Sequence, residues 1–230
     1  IILNYESQYS LGLYSLIISI MGIIIFLKDA ISKAWGPHVY RRFLVSENET
    51  KDMIDSFLSL TLILFSFLYL IISLYDIELI QLIGGNEYMQ TTKIVQILGL
   101  TIIVTSMNQF FLLGMFLREE TKKLPIYMLI SVIINFIIGM ILVKPMGLDG
   151  VALATLVSNL SFLYFINKKS QSLFFIQYST LRNYNIVATA ILLVLLDLFL
   201  WNNINYVYIV IFLIINYNKI KILTVKLKRT

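Results

Sequence analysis

The chain has 230 residues, of which 59% are hydrophobic and only 13% charged, with a net charge of +5 and a mean hydropathy of +0.85. A soluble domain is nearer half apolar and a quarter charged, so the excess apolar surface calls for lipid as its solvent. The lack of Cys excludes disulfides and thiolate metal sites, and the basic residues lie between apolar runs, where they read as topology signals rather than a nucleic-acid surface.

A bilayer-spanning helix needs about 20 mainly apolar residues. Residues Ile1–Leu3 look like the end of an earlier helix and Asn4–Ser10 like its loop. The first full segment runs over Leu11–Trp35 and is expected to stop at Gly36-Pro37, because proline removes a backbone donor. Glu47–Asp55, with charges of both signs, reads as a solvated turn before a second segment at Asp55–Tyr75. The third is Thr92–Leu117, the fourth Leu124–Val143 and the fifth Leu148–Ile166. Ser170–Leu181 is uncharged up to its end but too polar to span, and is expected to lie along the headgroup boundary. Tyr184–Trp201 and Ile204–Tyr217 complete the set. The runs are too long for strands and lack period-two alternation, so the fold class is an all-α membrane protein with about seven transmembrane helices.

Charge tests this order. Basic residues in successive loops and the tail number 3, 1, 3, 1, 3, 0 and 5. Cytoplasmic loops carry the excess of Lys and Arg, which places Arg41/Arg42, Lys122/Lys123, Lys168/Lys169 and the C-terminus inside.

Ionisable residues within membrane helices point to function. The first segment holds Lys28, Asp29 and Lys33. Asp29 and Lys33, four apart, share a helix face and are expected to pair, with Lys28 pointing elsewhere. Lys28 lies about 26 Å below Leu11 at 1.5 Å per residue, near the inner edge of the hydrocarbon, where it either lines a cavity or snorkels to the headgroups. Asn108, Gln109, Asn135 and Asn159 fit substrate contact or interhelical hydrogen bonding equally. Asp197 reads as an interfacial carboxylate or a coupling-ion ligand, and His38 as a surface residue. There is no phosphate-binding glycine loop and no cluster with metal-ligand spacing, so neither an enzyme nor a cofactor is expected.

Three stretches carry a family resemblance: Leu11-Gly12-Leu13-Tyr14-Ser15-Leu16 opening the first segment, Lys33-Ala34-Trp35-Gly36-Pro37-His38-Val39-Tyr40 closing it, and Met146-Gly147-Leu148-Asp149-Gly150-Val151-Ala152-Leu153-Ala154-Thr155 before the fifth. In order and spacing they resemble the polysaccharide flippases of the multidrug/oligosaccharidyl-lipid/polysaccharide exporter superfamily. The resemblance implies the C-terminal half of a two-halved protein of 12–14 helices, in a bacterial inner membrane, exporting polyprenyl-pyrophosphate-linked repeat units for O-antigen or capsule by alternating access. The candidate substrate-binding set, read from the polar and ionisable residues within the apolar runs, is Lys28, Asp29, Lys33, Asn108, Gln109 and Asn135. Implied partners are the lipid-linked oligosaccharide, membrane lipid, the N-terminal half of the same protein and polysaccharide-assembly proteins. Rival readings are a lipid II flippase or cation-coupled drug exporter of the same superfamily, and a membrane-embedded polymerase or acyltransferase. The expected organisation is 1–10 as helix end and outer loop, 11–166 as helical core, 167–184 as connector, 185–218 as the final helix pair and 219–230 as a basic cytoplasmic tail.

Overall fold

A computed structural model describes residues 8–85, 92–200 and 205–229. Among the described residues there are seven helices and no strand: α1 Gln8–Phe43, α2 Glu47–Leu74, α3 Asp76–Gly84, α4 Thr92–Leu117, α5 Leu124–Leu173, α6 Thr180–Leu200 and α7 Asn205–Arg229. Five of them are long and apolar enough to cross a membrane, and α6 adds a shorter apolar stretch, Arg182–Leu196. In hydrocarbon every backbone donor and acceptor must be met internally, and helices do this within one segment. The chain is an all-α, multi-pass membrane protein.

Helix α5 has 50 residues, which as a straight rod would reach about 75 Å, over twice a hydrocarbon core of about 30 Å. It is instead a hairpin. Gly147 takes φ 56°, ψ −133°, a conformation essentially confined to glycine, and reverses the chain there. The arms then pack antiparallel: Asn135 reaches Ser158, Tyr127 stacks on Phe165 with centroids 5.7 Å apart, and Gly150 lies against the Leu142 carbonyl. The fourth and fifth expected segments are these two arms.

Helix α2 forms the centre and packs against α1, α4, α6 and α7. Its Ile54, Leu58, Leu62, Phe65 and Leu70 are almost completely buried. By contrast α1 and the first arm of α5 turn large apolar side chains outward, among them Phe26, Leu129, Ile133 and Phe136, as lipid-facing helices do.

Several boundaries differ from the expected ones, each for a physical reason. Helix α1 does not stop at Gly36-Pro37 but continues to Phe43. Proline costs one helical hydrogen bond; packing on either side offsets it, because Trp35 stacks on Phe57 with centroids 3.8 Å apart and Val39 is fully buried. Gln8–Ser10, expected in a loop, form its first turn. Glu47–Asp55 is not a loop but the start of α2. The Ser46 hydroxyl accepts from the Glu49 N–H at 3.4 Å, and Glu47 and Glu49 occupy the first turn, where acidic groups complement the helix dipole. They also pair with Arg118 and Arg42 at 2.7 and 2.6 Å. The second arm of α5 runs on to Leu173, and residues 174–179 fold into the bundle rather than along its surface: Phe174 and Ile176 are buried while Phe175 is exposed. The 219–230 tail begins as a continuation of α7. The expected helix end at Ile1–Leu3 and the Asp197 side chain lie outside the described residues.

Candidate functional site

One stripe from each of four helical segments converges on a cleft of about 690 Å³. Helix α1 supplies Lys28, Asp29 and Ser32; α4 supplies Thr105, Asn108, Gln109 and Leu112. The first arm of α5 adds Met128, Ser131, Val132 and Asn135, and the second arm Ser158, Asn159 and Phe162. Within each segment the lining positions recur at intervals of three or four residues, with one adjacent pair in each, which is the pattern of one helix face.

Five of the six expected site residues therefore meet: Lys28, Asp29, Asn108, Gln109 and Asn135. Lys33 does not line the cleft and is exposed. Nor does it pair with Asp29. The Asp29 carboxylate instead lies 3.4 Å from the Lys28 amine. Asp29 is the one carboxylate among the lining residues, and the Lys28 side chain is only 21% exposed, so attraction between this pair is less screened than attraction to the more exposed Lys33. Asp29 is itself 54% exposed. A pair of this kind contributes little to stability, typically about 0–1 kcal/mol, and separates readily when a stronger anion approaches the lysine.

The amides divide into two groups. Asn135 donates to Thr155 and Ser158 at 3.4 and 3.2 Å, which ties the arms of α5 together, and Asn159 donates to the Thr155 carbonyl at 2.8 Å. These bonds are the interhelical and local alternative. Asn108 and Gln109 are different: Asn108 Oδ1 and both polar atoms of the Gln109 carboxamide are buried without a hydrogen-bond partner. A buried polar group left unpaired costs about 1–3 kcal/mol, and these atoms, with almost no accessible surface, do not open onto the cleft.

Ser32, Thr105, Ser131 and Ser158 were not singled out from the sequence. A signal existed, since Thr105 and Ser131 stand four residues before Gln109 and Asn135 on the same faces. A second polar cluster, away from the cleft, was also missed. The buried Asp55 carboxylate of α2 accepts from the Ser179 N–H and hydroxyl at 2.7 and 2.8 Å and from Arg182 at 2.7 Å. Arg182 Nε donates to the Ser59 hydroxyl, which donates to Asn183 Oδ1. This cluster fastens the 174–179 connector and the start of α6 to α2. Burial, reinforced by the Asp55 charge, pushes the nearby Tyr178 phenol far above its ordinary value, so it stays protonated.

Among the described residues no three His, Cys, Asp or Glu side chains are grouped to hold a metal, and His38 is exposed beside Trp35. The cleft offers one paired cation, carboxamides and hydroxyls. A cation, carboxamides and hydroxyls are the groups that suit an anionic, hydroxyl-rich ligand.

Comparison with known proteins agrees with a transport role. No curated protein and no solved structure matches the chain. The family model described as lipid II flippase MurJ matches residues 7–218, almost the whole chain. That family, within the same flippase superfamily, consists of transporters and not enzymes. With its apolar helices, its hairpin and its polar cleft, the chain belongs to the lipid II flippase MurJ family.

Proposed function

We propose that the protein moves a polyprenyl-pyrophosphate-linked saccharide across the bacterial inner membrane by alternating access, with the α1–α4–α5 cleft as one wall of the substrate cavity. Lipid II is the first reading, because the family model that covers the chain is described by that substrate. The single observation that carries the reading is the convergence of Lys28, Asn108, Gln109 and Asn135 on one cleft within apolar helices. Lys28 faces the pyrophosphate as a point charge, exchanging Asp29 for it, while the polar side chains lining the cleft face the sugar. The lipid tail remains in the bilayer. The cleft is open on one side, and a second set of helices, related to these and preceding them in the full-length protein, closes it and rocks against them. Loop charges support a cytoplasmic C-terminus.

The O-antigen or capsule repeat unit is the second reading, favoured by the motifs at 11–16, 33–40 and 146–155. Two strains separate them. The full-length protein is expected to restore growth when the host lipid II flippase is depleted, and not to restore surface polysaccharide in a strain lacking its repeat-unit flippase. The reverse result assigns the repeat unit, and rescue of neither strain by a well-expressed protein removes both.

A further inference from the structure

Lys28 and Asp29 are the one cation and the one carboxylate lining the cleft, and they are neighbours in sequence. Consecutive positions on a helix point about 100° apart and ordinarily do not meet. Here Lys28 Nζ nevertheless lies 3.4 Å from Asp29 Oδ1. Both charges stand on the same turn of α1, so no movement of one helix against another separates them. A counter-anion on a different helix leaves with that helix; Asp29 stays beside Lys28 throughout a transport cycle.

For an anionic ligand this neighbour is unfavourable. A diphosphate that reaches the Lys28 amine has to displace the carboxylate, and it then sits beside a like charge. An ionised carboxylate has acceptor oxygens only, so it offers the diphosphate no hydrogen bond in return. The Asp29 side chain is 54% exposed and therefore accessible at the cleft surface. It adds no affinity for the anion. What it adds is weaker holding, and a path across a membrane works only where binding is weak enough for the cargo to leave.

We infer that Asp29 is a release residue: a built-in competitor for the Lys28 amine that sets how fast the diphosphate headgroup departs, and with it the turnover of transport. This rests on the flippase reading above and deepens it, giving the carboxylate of the cleft a role opposite to that of its lysine. In the empty cleft Asp29 compensates the Lys28 charge. The arriving diphosphate takes its place. As the headgroup leaves, the carboxylate closes back on the amine, so the lysine is never left bare among apolar helices.

The test uses the protein in lipid nanodiscs, with polyprenyl diphosphate and uncharged polyprenol as binding probes, and in vesicles, with a polyprenyl-diphosphate-linked disaccharide for transport. Asp29→Asn keeps the shape and removes the charge. It is expected to bind polyprenyl diphosphate about ten-fold more tightly than wild type, mainly through slower dissociation; water at this half-exposed site keeps the gain from being larger. Polyprenol binding is expected to stay the same. Transport at saturating substrate is expected to fall while KM also falls. Added salt is expected to narrow the affinity gap, because screening weakens the repulsion that wild type retains. Asp29→Glu keeps the charge and is expected to match wild type, and Asp29→Ser is a second neutral variant with the pattern of Asp29→Asn. Diphosphate binding by the neutral variants that is no tighter than wild type overturns the inference. So does tighter binding with undiminished transport, or tightening by Asp29→Glu as large as by Asp29→Asn. Each of these outcomes leaves the flippase reading intact. Wild type that binds polyprenyl diphosphate no better than polyprenol, or moves no lipid-linked saccharide, overturns both.

Discussion

Replacing Arg182 by alanine tests how the last helices are held. The Asp55 side chain is 8% exposed and the Arg182 side chain 25%, with Nη2 and Oδ2 2.7 Å apart. Removing the guanidinium leaves a buried carboxylate that still accepts two bonds from Ser179, while the Ser59 hydroxyl loses its Arg182 donors. Breaking a buried pair from one side costs about 3–5 kcal/mol; we expect about 3 kcal/mol, the low end, because Ser179 remains and Arg182 is a quarter exposed. Asp55→Ala leaves the arginine unpaired but nearer solvent, and is expected to cost less. The double variant removes both charges together, so its loss falls short of the sum of the singles by about 2 kcal/mol. Equilibrium unfolding in mixed micelles, followed by far-ultraviolet circular dichroism, measures all four corners of this cycle. Strict additivity, or an Arg182→Ala loss below about 1 kcal/mol, refutes the buried-clamp account and makes the pair equivalent to a surface one.

Three further expectations follow from the geometry. Lys28→Gln is expected to insert normally and lose most transport, with Lys28→Arg retaining part; normal transport by a well-expressed Lys28→Gln protein returns Lys28 to a snorkelling role. Gly147→Ala forces a Cβ into a backbone conformation of φ 56°, ψ −133° and is expected to cost about 1–3 kcal/mol in the same unfolding assay, while Gly22→Ala, where a Cβ meets nothing within 4 Å, is expected to be neutral or stabilising. Single cysteines on the naturally Cys-free chain are expected to react with an impermeant thiol reagent in intact cells at Leu148, beside the hairpin turn, and not at Lys122 or Lys168; labelling at Lys122 inverts the orientation.

Chain order and fold class were legible in the sequence because lipid imposes a length and an apolar composition on each crossing, and both can be read one segment at a time. Gly147 was legible as a turn, since two apolar runs flank it and glycine tolerates the reversal. The start of α2 was in principle legible as well: Ser46-x-x-Glu49 is a helix-entry pattern, obscured by the charges that follow it. Helix α1 passing through Pro37 was not, because what offsets the lost hydrogen bond is Trp35 on Phe57, a contact between residues 22 apart. The Asp55–Arg182 bond spans 127 residues, and no local pattern announces a partner at that separation. The site divides in the same way. Polar residue types within apolar runs named Lys28, Asn108, Gln109 and Asn135 one by one, each with a structural alternative of equal weight. Only tertiary structure decided what each side chain meets, because a hydrogen bond depends on what stands opposite: Asn135 bonds Thr155 and Ser158, Asp29 lies against Lys28 rather than Lys33, and Asn108 Oδ1 and the Gln109 carboxamide are buried without a partner.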